Sequence, residues 1–338
     1  MKMRTLLFVS SILLLAAIST PAQQLAPNSC STNITSCGCV IDRNATYSIG
    51  NDLNANQTNA QNCIEIAASY SKLNVNGKTI TGNGRGIGIR IRPGATHVAI
   101  QGVASQHFLV NDDDPCASTG QGVIFGWDIG IKDEGDYAVI GLFSQVGGSM
   151  GSNNTAGVYL NRVTGSAVNN INVCDNGVAG VIAKNSSGIS VTNFTSNSNA
   201  QYGVWSDSTN DSTFATSTVM NNGMYGYWFM GSSRDQLFNA NGIGGASTDT
   251  GVLFSCGGPH CGENGNDQGS NDNIVTNSGA SGTSNVGILI QNHNHRNLIV
   301  NTSDSGNANF DVEDLNQNCD SNNWFNNAFG SRNQNCIQ

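Results

Sequence analysis

Short apolar runs recur at a fixed interval along the middle of the chain. Each run begins with a glycine and an apolar residue, and successive starts lie 23 residues apart, at Gly157-Val158, Gly180-Val181, Gly203-Val204 and Gly226-Tyr227. An asparagine stands four residues before each glycine, at Asn153, Asn176, Asn199 and Asn222. A fixed period of this length is typical of stacked repeats, in which each repeat buries its apolar face against its neighbours.

The apolar runs are too short to be amphipathic helices. They hold three to five residues, for example Val158-Tyr159-Leu160, and are separated by glycine and asparagine. A helical pattern needs about ten residues, whereas short alternating runs bounded by turn residues predict strands. About three strands in each repeat would form one turn of a coil. Successive turns would then pair in parallel about 4.8 Å apart.

The period also predicts which side chains share a face. Two columns are expected to point into the coil, namely Val158, Val181, Val204 and Tyr227, and beside them Val168, Val191 and Phe214. We expect the asparagine column to form a ladder of side-chain amides from turn to turn. We also expect both the asparagines and the glycines to supply the left-handed backbone that tight corners need.

The chain resembles the right-handed parallel β-helix proteins of the pectin-lyase-like superfamily. The likeness rests on the Gly-apolar pairs and on three further segments, which are Cys63-Ile64-Glu65-Ile66, Leu73-Asn74-Val75-Asn76-Gly77 and Ser321-Asn322-Asn323-Trp324-Phe325-Asn326-Asn327. It implies an all-β, single-stranded right-handed parallel β-helix of roughly ten turns. Members of that superfamily include polysaccharide lyases, glycoside hydrolases, epimerases, tailspikes and repeat proteins without an assigned activity, so the fold does not select a function.

The ends of the chain predict export and disulfide-stabilised caps. Residues 1–22 are expected to be a signal peptide, because Lys2 and Arg4 precede an apolar stretch and Thr20-Pro21-Ala22 offers a cleavage site. Residues 23–63 are predicted to be a cysteine-rich cap, 64–318 the β-helix and 319–338 a second cap. The protein is therefore expected to be secreted or periplasmic, with no membrane span in the mature chain.

The ten cysteines are predicted to form disulfides. Cys319 and Cys336 are expected to close the C-terminal cap, Cys256 and Cys261 a short loop, and Cys116 is a candidate partner for Cys174. Four further cysteines in the N-terminal segment allow three pairings, and they are Cys30, Cys37, Cys39 and Cys63.

The charge of the chain argues against nucleic acid as a partner. The formal net charge is −9, and no basic stripe is present. Charged residues make up only 11% of the sequence, below the roughly 25% of an ordinary domain. The apolar residues nevertheless keep register with the repeat, which favours a folded array over disorder.

An outward column of aromatic residues is the candidate binding surface. If Val158 and Leu160 point inward, the column between them holds Tyr159, Ile182, Trp205, Trp228, Leu253 and Leu289. The neighbouring outward column holds Asn161, Lys184, Asp207 and Met230. Aromatic rings flanked by polar groups suit the faces of sugar rings, so Tyr159, Trp205, Trp228 and Asp207 are predicted to bind an extracellular polysaccharide. Alternatively, a loop such as 105–121 or 256–285 covers the column and makes it a second small core.

The catalytic signatures of the resembled enzymes are missing. The chain has Asp112-Asp113-Asp114 but no Gly-His-Gly or Asn-Thr-Asp, and Cys116 interrupts an epimerase-like Asp-Pro motif. A lyase acting on a uronate needs a cation at the carboxylate and a nearby base. Candidate catalytic groups are therefore Lys184, Arg234 and His295. In the simpler alternatives, Lys184 and Asp207 form a surface ion pair, and His293 and His295 belong to a polar turn.

Two functions follow as hypotheses. The first is an exported protein that binds polysaccharide or acts on it, in a lyase-like manner if it is an enzyme. The second is a non-catalytic scaffold or surface protein, or a periplasmic module of the copper-related kind. The sequence assigns no cofactor and no metal ligands, and it leaves the oligomeric state open.

Overall fold

The computed structural model describes residues 28–58, 60–103, 122–147, 155–257 and 269–338. The predicted signal peptide, residues 1–22, lies outside the described residues. Within the described ranges, none of the helices combines the length and the apolarity that a membrane crossing requires.

The chain is built almost entirely from strands that stack in parallel, and they are numbered here in chain order. Sheet A contains eleven strands, which are β2 (Cys39–Ile41), β5 (Asn62–Ile66), β8 (Ile87–Ile91), β11 (Ile129–Asp133), β13 (Ala156–Asn161), β15 (Ala179–Lys184), β17 (Tyr202–Asp207), β19 (Tyr225–Met230), β21 (Thr250–Ser255), β24 (Val286–Ile290) and β27 (Phe310–Asp314).

Sheet B contains sixteen strands, which are β1 (Asn33–Ile34), β3 (Thr46–Ile49), β4 (Leu53–Asn54), β6 (Lys72–Asn74), β7 (Thr79–Thr81), β9 (Ala99–Gln101), β10 (Val123–Phe125), β12 (Val139–Gly147), β14 (Ala167–Cys174), β16 (Ser190–Asn197), β18 (Thr213–Met220), β20 (Gln236–Gly244), β22 (Ile274–Thr276), β23 (Gly279–Ser281), β25 (Leu298–Val300) and β28 (Asn323–Phe325). A small third sheet pairs β26 (Ser303–Asp304) with β29 (Ala328–Phe329). Two short 3-10 helices span Ala55–Gln57 and Gln317–Cys319.

The strand register confirms the predicted all-β parallel β-helix of about ten turns. Val158 pairs with Val181, Val181 with Val204, and Val204 with Tyr227, so the 23-residue period is the length of one turn. The middle turns contain two strands each, where three were expected, because two of the predicted strands join into one long strand of sheet B. Each joined strand bends at a residue with positive φ, such as Asn193.

The interior of the coil is a continuous apolar core. The two predicted inward columns are confirmed, and their members are 0% exposed. Tyr227 is fully buried, and its hydroxyl is hydrogen-bonded to that of Ser217 at 2.5 Å, so the polar end of this large side chain is satisfied inside the core. Burial of a column of this kind in every turn is the main source of stability for a stacked fold.

The predicted asparagine ladder is present at three successive turns. The side-chain Nδ2 of Asn176 donates to Oδ1 of Asn199 at 2.9 Å, and Nδ2 of Asn199 donates to Oδ1 of Asn222 at 2.9 Å. The backbone N–H groups of Asn176 and Asn199 reach the same oxygens at 3.0 Å. All three residues are buried. Asn153, the expected first member, lies outside the described residues.

The expected reason for the repeated glycines was wrong. The glycines that start the runs do not have positive φ, and neither do the ladder asparagines. A Cβ on Gly203 would instead lie 2.3 Å from Cγ1 of Val219 and 2.6 Å from the carbonyl oxygen of Gly226. Glycine is therefore required because the next turn of backbone and an inward side chain approach too closely for any larger residue.

Disulfides hold both ends of the described chain. Cys30 bonds to Cys39, and Cys37 bonds to Cys63, which selects one of the three pairings that the sequence allowed. The predicted bond between Cys319 and Cys336 is confirmed.

Two further cysteines also lie in disulfides. They are Cys174 and Cys256, and the partners predicted for them, Cys116 and Cys261, lie outside the described residues.

Candidate functional site

The predicted aromatic column lies on the outer face of sheet A. Strand pairing places Tyr159 beside Ile182, Ile182 beside Trp205, and Trp205 beside Trp228, with Leu253 and Leu289 continuing the column. Flanking residues such as Val158 and Leu160 are buried in the core, so the alternation of side chains directs this column outward.

The two tryptophans form the centre of an aromatic cluster. The rings of Trp205 and Trp228 are stacked, with centroids 5.3 Å apart and planes 11° from parallel. Tyr202 and Tyr225, also stacked, contact Trp228 at centroid distances of 5.0 and 5.5 Å. Offset and tilted ring pairs of this kind are favourable beyond the area they bury. The cluster is therefore preorganised by the sheet and by its own ring contacts.

Sequence reasoning missed the two tyrosines. Each tyrosine directly precedes a repeat glycine, Gly203 or Gly226. It lies two positions before an inward residue, so strict alternation does not assign it to an outward column. In the structure this position packs beside the tryptophans, because Ala156, Ala179, Tyr202 and Tyr225 pair in register along sheet A. A search for aromatic residues at the 23-residue spacing would have found Tyr202 and Tyr225 together.

The cluster is partly buried and separate from the main core. Tyr159, Trp205, Tyr225 and Trp228 are half-buried and pack against a second buried group, made of Ala156, Ala179, Ile182 and Tyr202. Nε1 of Trp228 donates to the Ser255 hydroxyl at 2.6 Å, whereas Nε1 of Trp205 is buried with no acceptor among the described residues. Two loops, 105–121 and 256–285, were considered as possible covers of the aromatic column. Residues 105–121 and 258–268 lie outside the described residues.

The predicted ion pair borders the aromatic cluster. Nζ of Lys184 lies 2.8 Å from Oδ2 of Asp207 and 5.7 Å from the ring centre of Trp205, where it makes a cation–π contact. Asp207 is buried. The hydrogen bond to the Asp207 carboxylate raises the pKa of Lys184 above its ordinary value. Lys184 is therefore held as a cation.

Charged residues continue the aromatic column toward the N-terminal turns. Glu65 pairs with Arg90 in the sheet, Arg90 with Lys132, and Lys132 with Tyr159. Glu134 lies 2.8 Å from both Arg90 and Lys132. Partial burial would raise the pKa of Glu134, but hydrogen bonds from Lys132 and Arg90 hold it below the usual value. The face therefore changes from an internally paired charge network to aromatic rings.

Arg234 and His295 do not lie on this face. Arg234 follows strand β19, is exposed, and donates to both oxygens of Asp211 at 2.6 and 2.9 Å. His295 follows strand β24, and its Nδ1 lies 2.5 Å from Oδ2 of Asp320 in the C-terminal segment. Each residue belongs to a turn and pairs with a carboxylate of a neighbouring turn. The structure brings Lys184 and Asp207 to the aromatic cluster and leaves the other two catalytic candidates in the turns.

The described residues contain no group of three or more histidine, cysteine, aspartate or glutamate side chains arranged to hold a metal ion. His293 and His295 have ring centres 6.5 Å apart and their planes are nearly perpendicular.

Comparison with known proteins identifies the fold. No protein-family model and no curated protein matches the chain. Among solved structures, the Dettilon tailspike protein is similar with a TM-score of 0.51 at 14% identity, over 78% of this chain and 56% of the tailspike. A DFA-IIIase from Arthrobacter chlorophenolicus A6 gives a TM-score of 0.48 at 12% identity, over 82% and 83% of the two chains.

A periplasmic alginate epimerase gives a TM-score of 0.41 at 10% identity, over 79% of this chain and 62% of the epimerase. The chain thus spans about half the length of the tailspike. At these identities the likenesses concern the fold alone. The chain is a parallel β-helix repeat protein of about ten stacked turns.

Proposed function

We propose that this protein binds a polysaccharide along the outward aromatic face of sheet A. The observation that carries the proposal is the stacked pair Trp205 and Trp228, held half-exposed on a regular sheet with Tyr159 and Tyr225 beside it. Contact between water and an apolar surface of this kind is unfavourable, so an aromatic cluster outside the main core favours association with a ligand.

The shape of the face suits a linear sugar chain. Its side chains repeat every turn at about 4.8 Å along the axis, so the face is long and regular. The apolar faces of sugar rings can pack on the aromatic rings, while hydroxyl groups can reach polar neighbours. Lys184 and Asp207 offer a donor and an acceptor at the edge of the cluster. Disulfides at both ends of the chain support a site of action in an oxidising, extracellular or periplasmic compartment.

A more specific proposal adds a catalytic activity, a lyase-like action on a uronate polymer. In that reaction Lys184 would neutralise the substrate carboxylate, because the raised pKa keeps it protonated and unsuited to be the base. Arg234 and His295 belong to turns with their own carboxylate partners. The arrangement therefore favours binding over catalysis.

Replacing both tryptophans by alanine tests the binding proposal. We expect Trp205→Ala with Trp228→Ala to weaken polysaccharide binding roughly 100-fold. Truncation of a central aromatic residue at an interface commonly costs about 2 kcal/mol of binding free energy, and in fewer cases more. Affinity would be measured by calorimetry against xylan, soluble glucan, alginate and polygalacturonate. Phe325→Ala is the matched control, because Phe325 is an aromatic residue 66% exposed on sheet B.

Two results would contradict the proposal: retention of full affinity by the double variant, or an equal loss in the Phe325→Ala control. The lyase-like form has its own measurement, the ultraviolet absorbance of unsaturated chain ends during incubation with polygalacturonate or alginate. Absorbance that does not rise above a protein-free blank would reject the lyase and leave the binding proposal standing.

A further inference from the structure

A second concave surface lies on sheet B, away from the aromatic cluster. It is a groove of about 380 Å³ lined by side chains of four successive strands, β14, β16, β18 and β20. At the spacing of paired strands, four turns extend roughly 15 Å along the axis of the coil. The groove is thus elongated in the direction in which the turns repeat.

The groove follows the bend in each long strand of sheet B. One residue per strand has a left-handed backbone there, with φ of 51° at Asn170, 50° at Asn193, 49° at Thr216 and 49° at Asn239. Asparagine tolerates this conformation, but a β-branched threonine adopts it only at a cost. The bend is therefore fixed by the fold at the same place in every turn, and it keeps the groove continuous.

The lining of the groove is uncharged. A second column of asparagine and threonine lies beside the bend, represented by Thr195 and Thr218. None of the described residues that line the groove is charged. Apart from Ile171 and Phe194, the lining residues are asparagine, threonine and serine, so the polar groups of the groove are neutral amides and hydroxyls, in a protein whose formal net charge is −9.

Three side chains at the bend do not pair as the interior asparagines do. Inside the coil, each ladder asparagine donates to the next at 2.9 Å. In the groove, the side chains of Asn193, Thr216 and Asn239 are exposed and form no hydrogen bond with other described residues. Asparagine side chains at the same period are thus hydrogen-bonded inside the coil, whereas those of Asn193 and Asn239 are open at the surface.

We propose that this groove is a second binding site, for a neutral, hydroxyl-rich linear glycan. Hydroxyl groups donate and accept hydrogen bonds, as do the amides that line the groove. A charged polymer would gain no ion pair from these groups and would lose hydration on entering the groove. The repeat of the lining groups along the axis matches a ligand that is itself a linear repeat. The site lies on a different sheet from the aromatic face and does not depend on it.

The test removes amides without disturbing the bend. Glycine adopts positive φ at no steric cost, so Asn193→Gly with Asn239→Gly keeps the backbone and deletes two of the open side chains. The matched control is Asn277→Gly, because Asn277 is exposed, has a φ of 48° and lies one turn beyond the groove. Because Asn193 begins an Asn-x-Thr sequon, all proteins would be made without glycosylation, in a bacterial periplasm.

The probes would be cellohexaose, xylohexaose and mannohexaose, with hexagalacturonate as the charged comparison, titrated by NMR while side-chain amide signals are followed. We expect a neutral probe to shift the Asn193 and Asn239 amide signals, and the double glycine variant to lower its affinity about tenfold or more. The Asn277→Gly control and the Trp205→Ala, Trp228→Ala variant should keep that affinity. The proposal is overturned if no neutral probe binds, if the charged probe binds more tightly in the groove, or if the control loses as much affinity as the double variant.

Discussion

Replacing Asn199 by alanine is expected to lower the free energy of unfolding by about 4 kcal/mol. Oδ1 of Asn199 accepts from both the backbone N–H and the side-chain amide of Asn176, at 3.0 and 2.9 Å. Its own amide donates to Asn222, to the carbonyl of Val173 and to the hydroxyl of Ser196. Alanine would leave the buried backbone N–H of Asn176 without its acceptor and would remove one partner from each of the other groups, and each buried group left unsatisfied costs about 1–3 kcal/mol.

The measurement is equilibrium unfolding in urea, followed by far-ultraviolet circular dichroism. Asn241→Ala is the control, because Asn241 is an exposed asparagine on strand β20 of sheet B, and a surface change of this kind is expected to stay within about 0.5 kcal/mol. Amide hydrogen exchange gives an independent readout, since the N–H of Asn176 should lose protection first. A loss of stability no greater than that of Asn241→Ala would show that the ladder is not a source of stability.

Sequence reasoning predicted the fold and the columns because both depend on one number, the period. Once 23 residues make one turn, Val158, Val181 and Val204 must lie above one another, and alternation within the strand places Tyr159 and Trp205 on the opposite face. Neighbouring turns also place Lys184 beside Asp207, which the structure shows as an ion pair. These features are local consequences of stacking, so a sequence pattern is enough to specify them.

Features that depend on close approach or on backbone dihedrals were not predictable in the same way. The repeat glycines are required by the backbone of the next turn, as at Gly203, and a sequence pattern cannot distinguish this from a left-handed corner. The bends of sheet B fall at Asn193 and Thr216, and threonine is a poor indicator of a left-handed residue. The groove that these bends create was therefore missed.

Buried carboxylates were missed for a related reason. Asp133 ends strand β11 at a position where the adjacent turns place Ile91 and Leu160 inside the coil, and it is 0% exposed. Composition and charge predict that an aspartate faces water, so nothing in the sequence marks this one as internal. Asp235 and Asp304 are likewise enclosed, and they give the fold a dependence on pH that the repeat alone does not indicate.

The free energy of unfolding is expected to be highest in mildly acidic solution and to fall as the pH rises toward 8. Burial, opposed by hydrogen bonds, raises the pKa of Asp133 and of Asp235 to about 6. Burial raises the pKa of Asp304 to about 8, with the neighbouring Asp311 adding to the effect. In the unfolded chain these groups release their protons near the ordinary pKa of 3.8. Between that pH and the folded pKa the unfolded state binds fewer protons, so stability falls as the pH rises.

Four other carboxylates set the acid limit. Salt bridges with arginine or lysine hold the pKa values of Glu65, Glu134, Asp211 and Asp272 below their usual range. The stability that these carboxylates contribute is present above their ordinary pKa and is lost as they are protonated in more acidic solution. The two opposing trends place the maximum between the ordinary carboxylate pKa and neutrality.

Asp304→Asn isolates the largest of these contributions. Oδ1 of Asp304 accepts the N–H of Ala280 at 2.6 Å, while Oδ2 is buried with no hydrogen-bond partner among the described residues. A neutral amide resembles the protonated acid, so the variant should match the native protein only near the ordinary pKa of 3.8 or below, where the unfolded chain also keeps its proton. Between pH 5 and pH 7 the native protein should lose about 3 kcal/mol through this one group, at about 1.4 kcal/mol for each pH unit, and the variant should not. Urea unfolding between pH 4 and 9 measures both curves, with Asp42→Asn, an exposed carboxylate, as the control that should follow the native protein. Parallel curves for the native protein and Asp304→Asn would rule out Asp304 as the source of the alkaline loss, because that loss must disappear when its carboxylate is removed.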